Sequence, residues 1–222
     1  MENAAGGNLR VVVPQHKLVG AASEEAHVIV NHGDLTLDSF TQGTTYKDIV
    51  ITGGSAVGAS TILNDGSFYL ALTDSNDYKF HPEFIGGSAE GACALMNAGD
   101  ATIAAVKMIG GTADGAHGVM NASKLTVGYE NGSTWGFDWE IRGSDSHNAY
   151  GLFNQEQAEL NFVAKCGVDV KAGAQGAAGL YNKGTLGSSS KTSVTKPNET
   201  KMFRSALLYD VRKWCFFVRI IV

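Results

Sequence analysis

The sequence predicts an all-β chain, a right-handed parallel β-helix of about six three-strand rungs with an atypical C-terminal tail. Three observations carry this. An apolar residue followed by Asn recurs six times; other columns keep fixed offsets from that Asn; and the segments between have strand periodicity in pieces too short for helices of globular length.

The six copies are Val30-Asn31, Leu63-Asn64, Met96-Asn97, Met120-Asn121, Phe153-Asn154 and Tyr181-Asn182. The steps between the asparagines are 33, 33, 24, 33 and 28 residues. An alanine stands five positions before each Asn (Ala26, Ala59, Ala92, Ala116, Ala149, Ala177). An aliphatic stands two before it (Ile29, Ile62, Leu95, Val119, Leu152, Leu180). Apolar columns follow at four after (Leu35, Phe68, Ala101, Leu125, Ala158, Leu186) and six after (Leu37, Leu70, Ile103, Val127, Leu160), where the last copy has Ser188.

Each copy divides into three short strands. One precedes a glycine pair, as in Ile49-Val50-Ile51 before Gly53-Gly54, with Gly86-Gly87 and Gly110-Gly111 in the same place. A second ends at the Asn, and a third follows with period-two alternation, as in Lys124-Leu125-Thr126-Val127. Three strands per turn stacked on the next turn is β-helix geometry, with rungs about 4.8 Å apart. Right-handedness follows from the general preference of parallel crossovers. Gly58, Gly91, Gly115 and Gly176 stand six before the Asn, and Asn148 replaces them in the fifth copy. Asn is the non-glycine residue that best tolerates a left-handed backbone, so the exchange is physically consistent. Copy one has Glu25 there and reads as a less regular end rung.

The asparagines Asn31, Asn64, Asn97, Asn121, Asn154 and Asn182 occupy one corner, where their amides can hydrogen-bond along the stack as a ladder. The longer copies carry extra residues between the third strand and the next glycine pair, over 38–48, 71–83 and 128–140. These stretches concentrate aromatics: Tyr46, Tyr78, Phe80, Tyr129, Trp135, Phe137 and Trp139. Exposed, Tyr46, Tyr78, Tyr129 and Trp135 would form a binding strip for sugar rings or a protein. Period-two phasing with Phe84 and Ile141 points such side chains into the core instead, and both readings stay open.

The net charge of −5 is uneven. Residues 188–222 hold seven Lys/Arg and two Asp/Glu, so the remaining 187 hold 10 and 20 of the chain's 17 and 22. An acidic body excludes a nucleic-acid partner, which would need a basic face. Cys93, Cys166 and Cys215 form neither a disulfide framework nor a zinc spacing. No cofactor or metal site is indicated, and no signal peptide is visible in residues 1–20.

The domain reading is a β-helix over 1–187, a Ser/Thr/Lys-rich linker over 188–200 and a cap or foreign tail over 201–222. The last segment is apolar and basic, but after Lys201 four basic residues (Arg204, Arg212, Lys213, Arg219) and Asp210 interrupt it, so it is no comfortable transmembrane span. A cap on the open end, a truncated or out-of-frame end and a membrane-surface segment all stay open.

Catalysis has one stacked candidate. Seven before the Asn, successive copies place Glu90, Asp114 and His147, and stacking would bring the two carboxylates about 5 Å apart, near the separation of a retaining glycosidase pair. The other reading is a solvated turn. Val57 and Gln175 flank the pair in neighbouring copies, which leaves it without a supporting shell. His32 and His117 read as turn residues on the surface.

The run Gly179-Leu180-Tyr181-Asn182-Lys183-Gly184-Thr185-Leu186, with copies at Gly118-Val119-Met120-Asn121 and Gly151-Leu152-Phe153-Asn154, resembles repeats in the passenger domains of bacterial autotransporter adhesins. The resemblance covers about residues 20–187. It implies export to the cell surface, a non-catalytic adhesive or structural role, and a glycan or cell-surface protein as partner. The chain departs from that pattern in showing neither a signal peptide nor a recognisable membrane β-barrel. Polysaccharide-active enzymes and phage tailspikes share the architecture and supply the alternative.

Overall fold

A computed structural model describes residues 1–13, 18–20, 27–39, 50–71, 83–104, 106–128, 140–163, 168–173, 178–188, 194–195 and 218–221. The fold is a parallel β-helix. Among the described residues there is no helix, and every strand pairing is parallel.

Three sheets of 7, 7 and 8 strands run along the stack. The first joins Glu2–Asn3, Ile29–Asn31, Ile62–Asn64, Leu95–Asn97, Val119–Asn121, Leu152–Asn154 and Leu180–Asn182 in that order. The second joins Asn8–Val13, Asp34–Ser39, Ser67–Ala71, Asp100–Ala104, Lys124–Val127, Glu159–Phe162 and Thr185–Ser188. The third runs from Leu18–Val19 through Val50–Thr52, Glu83–Ile85, Lys107–Ile109 and Glu140–Arg142 to Val168–Lys171. Val218–Ile221 and Val194–Thr195 then extend it, Val218 pairing with Val168. Val194–Thr195 lies in the segment read as a linker, and Val218–Ile221 is the described part of the segment read as a cap or tail.

The asparagines are in register across the whole first sheet, so the repeat read in the sequence is the rung. The extra residues of the longer copies fall between second and third sheets, as between Ala71 and Glu83. The core is the set of inward columns from the three sheets. Ile62, Leu95, Val119 and Leu152 come from the first, Phe68, Ile103 and Leu125 from the second, and Ile51, Phe84, Met108 and Ile141 from the third, all buried. Side chains on a strand alternate, so every second residue enters this core and the next faces outward.

Two expectations are corrected. The stack has a further rung before the six: Glu2-Asn3 pairs with Val30-Asn31, so copy one is not the end. The residue before Asn3 is charged, which is why the apolar-Asn pattern passed over it. The columns after Asn154 also shift. Leu160 pairs with Leu125 and Phe162 with Val127, so Ala158 and Leu160 do not belong to the columns four and six after the Asn. The corner there holds four residues, 155–158, where the neighbouring rung has Ala122-Ser123, and Gln157 takes a positive φ of 70° within it. The corner after Asn3 has the same length, with Gly6 at φ 74° in the equivalent place.

Glycine is required at the turn into the first sheet for two separate reasons. Gly58, Gly91 and Gly115 have φ of 71°, 72° and 66°, and Asn148 stands in the same column at 55°. The leading glycine of each pair, and Gly143 where the pair is Gly143-Ser144, is needed for space. A Cβ on Gly86, Gly110 or Gly143 would collide with the carbonyl of Ala92, Ala116 or Ala149 in its own rung. The alanine column itself is fully buried at Ala59, Ala92, Ala116 and Ala149.

Candidate functional site

The ladder asparagines are the most tightly specified polar residues. Asn31 Nδ2 donates to Asn64 Oδ1 at 2.7 Å, Asn64 to Asn97 at 2.7 Å, Asn97 to Asn121 at 2.8 Å, Asn121 to Asn154 at 2.7 Å and Asn154 to Asn182 at 2.7 Å. Asn3, which the repeat pattern missed, begins the ladder by donating to Asn31 Oδ1 at 2.8 Å. Each amide also reaches backbone carbonyls at the corner, as Asn31 does at Gly33 (3.0 Å) and Ser67 (2.9 Å). In the interior of the ladder, from Asn31 to Asn154, each buried amide donates to the next asparagine and to backbone carbonyls and accepts from the asparagine before, so these side chains are occupied by the scaffold.

Glu90, Asp114 and His147 do stack in successive rungs. Gly91 N donates to Asp114 O at 3.2 Å and Gly115 N to His147 O at 3.0 Å. All three residues are exposed on a turn. Asp114 Oδ1 accepts from His147 N at 3.1 Å, so this carboxylate ties one turn to the next. Tyr46, Tyr78, Phe80, Tyr129, Trp135, Phe137 and Trp139 lie outside the described residues; their phase neighbours Phe84 and Ile141 are core.

The outer faces of the three sheets differ in chemistry. The second carries Thr36, Tyr69, Thr102, Thr126 and Asn161 in one outward column. The third carries charges, with Lys171 Nζ 2.6 Å from Glu140 and 3.4 Å from Asp169; the Glu140 hydrogen bond and neighbouring acids raise the Lys171 pKa, against the opposing effect of its partial burial. The first is apolar. Val30, Leu63, Met96, Met120, Phe153 and Tyr181 form one outward column, each half-buried. A contiguous apolar strip on a water-facing sheet is where an interaction face is expected.

That column ends in an aromatic cluster. His117 stacks on Tyr150 with centroids 5.2 Å apart and meets Phe153 edge-on at 5.2 Å. Tyr150 stacks on Tyr181 at 4.7 Å, and Phe153 on Tyr181 at 5.4 Å. The Lys183 ammonium lies over the Tyr181 and Phe153 rings at 5.5 and 5.7 Å.

His117, expected at the surface, is buried. Its Nδ1 accepts the Tyr150 backbone N–H at 3.0 Å, and burial lowers its pKa to about 4, so the ring is a neutral acceptor. The phenol of Tyr150 is pushed up, first by burial and then by the charge Tyr181 would carry. The signal for this cluster was in the sequence, since Phe153 and Tyr181 share the column before the Asn.

No family model, curated protein or solved structure matches the chain.

Proposed function

We propose that this chain is a non-catalytic, adhesin-like structural segment, secreted or displayed on a bacterial surface, whose rigid stack presents a binding face to a glycan or cell-surface protein. The observation that carries this is the uncharged apolar outer column of the first sheet, beside a polar second face and a third one that mixes charges with Val50, Ile85 and Ile109. Polar side chains at the corners are engaged with the scaffold, and Asp114, half of the stacked carboxylate pair, is bonded to the next turn. The repeat resemblance to autotransporter passengers points the same way.

The test incubates the full chain with immobilised glycans and with cell-surface protein fractions, and assays retention and new reducing ends together. Retention without cleavage, weakened by Phe153→Ser in a chain that keeps its β circular dichroism, is the expected result. New reducing ends that vanish in Glu90→Gln or Asp114→Asn would replace this reading with a polysaccharide-active enzyme. No retention on any surface would reduce the segment to a spacer.

A further inference from the structure

Tyr150 and Tyr181 stand 31 residues apart in sequence but on adjacent rungs of one face. Parallel pairing of Leu152–Asn154 with Leu180–Asn182 sets Phe153 opposite Tyr181, and Tyr150, two residues before the first of these strands, is held by its N–H, which donates to His117 Nδ1, and by its carbonyl, which accepts from Gly118 N. Their ring centroids are 4.7 Å apart with planes 30° from parallel. His117 stacks against Tyr150 and Phe153 against Tyr181, so both rings are held from the sides. Both tyrosines are half-buried, which leaves part of each within reach of a small diffusible oxidant.

We propose that Tyr150 and Tyr181 are an oxidative coupling site, at which a one-electron oxidant of the peroxidase-and-peroxide class joins the two rings as dityrosine and staples the last two Asn rungs together. Each phenol loses one electron and one proton to give a pair of tyrosyl radicals. A carbon–carbon bond forms between a Cε of each ring. Each coupled Cε then loses its hydrogen and each oxygen regains one as the rings become aromatic again. The two electrons and two protons removed reduce one hydrogen peroxide to two waters.

Geometry favours this pair over a random encounter. Coupling of two radicals competes with their quenching, and partners already in contact convert a bimolecular step into a unimolecular one. Tyr150 stands two residues before the strand that pairs with the strand of Tyr181, so the two rings already meet with centroids 4.7 Å apart, and each turns only about its own side-chain bonds to bring one Cε to the other. Tyr69, the other described tyrosine, faces outward from the second sheet instead. The cross-link closes a long loop between the last two strands that the first sheet has among the described residues. It adds a covalent tie to a chain whose described cysteine, Cys93, is buried and free.

The experiment treats the dilute full chain with a haem peroxidase and a limited pulse of hydrogen peroxide, then isolates the monomer by size exclusion. Dityrosine fluorescence and mass spectrometry of a digest are read on that monomer. Tyr150→Phe and Tyr181→Phe keep the ring stack while removing one phenol each. The expected result is a linked peptide containing Tyr150 and Tyr181, lighter than the sum of its parts by two hydrogens. It should be absent from either Phe variant, with monomer fluorescence falling to that of the double variant. Coupling confined to dimers, coupling between other tyrosines, or consumption of peroxide with no such peptide would each overturn the proposal.

Discussion

Asn64 hands one amide hydrogen to Asn97 Oδ1 at 2.7 Å, and Asn97 does the same to Asn121 at 2.8 Å, with all three side chains fully buried. The ladder therefore has a direction: each residue accepts from the rung before and donates to the rung after. Asn97→Ala leaves a donor on Asn64 and the acceptor of Asn121 unsatisfied in the core. At about 1–3 kcal/mol per orphaned group, the two together cost about 2–6 kcal/mol. Asn97→Asp keeps the shape but aims an oxygen at Asn121 Oδ1 and at the Gly99 and Lys124 carbonyls that Asn97 Nδ2 now serves. Acceptor set against acceptor, with a buried charge, adds repulsion to the same lost donation, so Asp should cost more than Ala. Urea unfolding at pH 7 should rank wild type above Ala above Asp; Asp above Ala would contradict the direction of donation.

The two kinds of glycine at the turn should fail differently on substitution. Gly91 has φ of 72° and open space around a new Cβ, so Gly91→Ala meets only backbone strain of about 1–2 kcal/mol. Gly91→Asn should cost less, since Asn148 already occupies that column. At Gly110 a Cβ collides with the Ala116 carbonyl inside its own rung, and that carbonyl also accepts from Ser144 N at 3.1 Å. Gly110→Ala should exceed about 3 kcal/mol, in the range reserved for core disruption. Thermal melts of the three variants side by side would check the order.

How much of this was legible follows from what a repeat makes visible. Buried columns were readable because each rung needs the same residue at the same corner, so Asn64, Ala92 and Gly115 identify one another. Asn148 takes the left-handed turn, at φ 55°, because the physical requirement is narrow and glycine and asparagine meet it easily. Asn3 was missed because its outward neighbour is Glu2, and outward positions are not constrained by the core. Leu160 was misplaced because a corner may hold two residues or four without changing the strands on either side. The aromatic cluster was missed because it arises between rungs: His117, Tyr150 and Tyr181 lie in three different copies and meet only once the register is known.

Cys93 should behave as a core residue. It is fully buried, and burial pushes its thiol up to about 12, against a small opposing effect of the His117 backbone. At neutral pH the thiolate that reacts with electrophiles is therefore scarce, and access is closed as well. Iodoacetamide labelling of the native chain followed by peptide mapping should leave Cys93 unmodified, and labelling in urea should modify it fully. Labelling of Cys93 at equal rates in both conditions would show that the turn around Gly91 opens freely.

His117 makes the fold acid-sensitive in a defined window. Its folded pKa is about 4 against an ordinary 6.5, so the unfolded chain binds the proton first as pH falls. The stability this neutral ring contributes is fully present above pH 6.5 and is lost progressively from there down to about 4. A difference of that size corresponds to about 2–3 kcal/mol across the window. Protonation also removes the Nδ1 lone pair that accepts the Tyr150 N–H, so the loss falls on the turn that positions the aromatic cluster. His117→Gln keeps an acceptor for that N–H but does not titrate. Urea midpoints measured from pH 7.5 to 4.5 should fall more steeply in wild type than in His117→Gln, the two curves diverging below about pH 6.5. Parallel curves would mean that acid acts through the carboxylates alone and that His117 stays neutral without consequence.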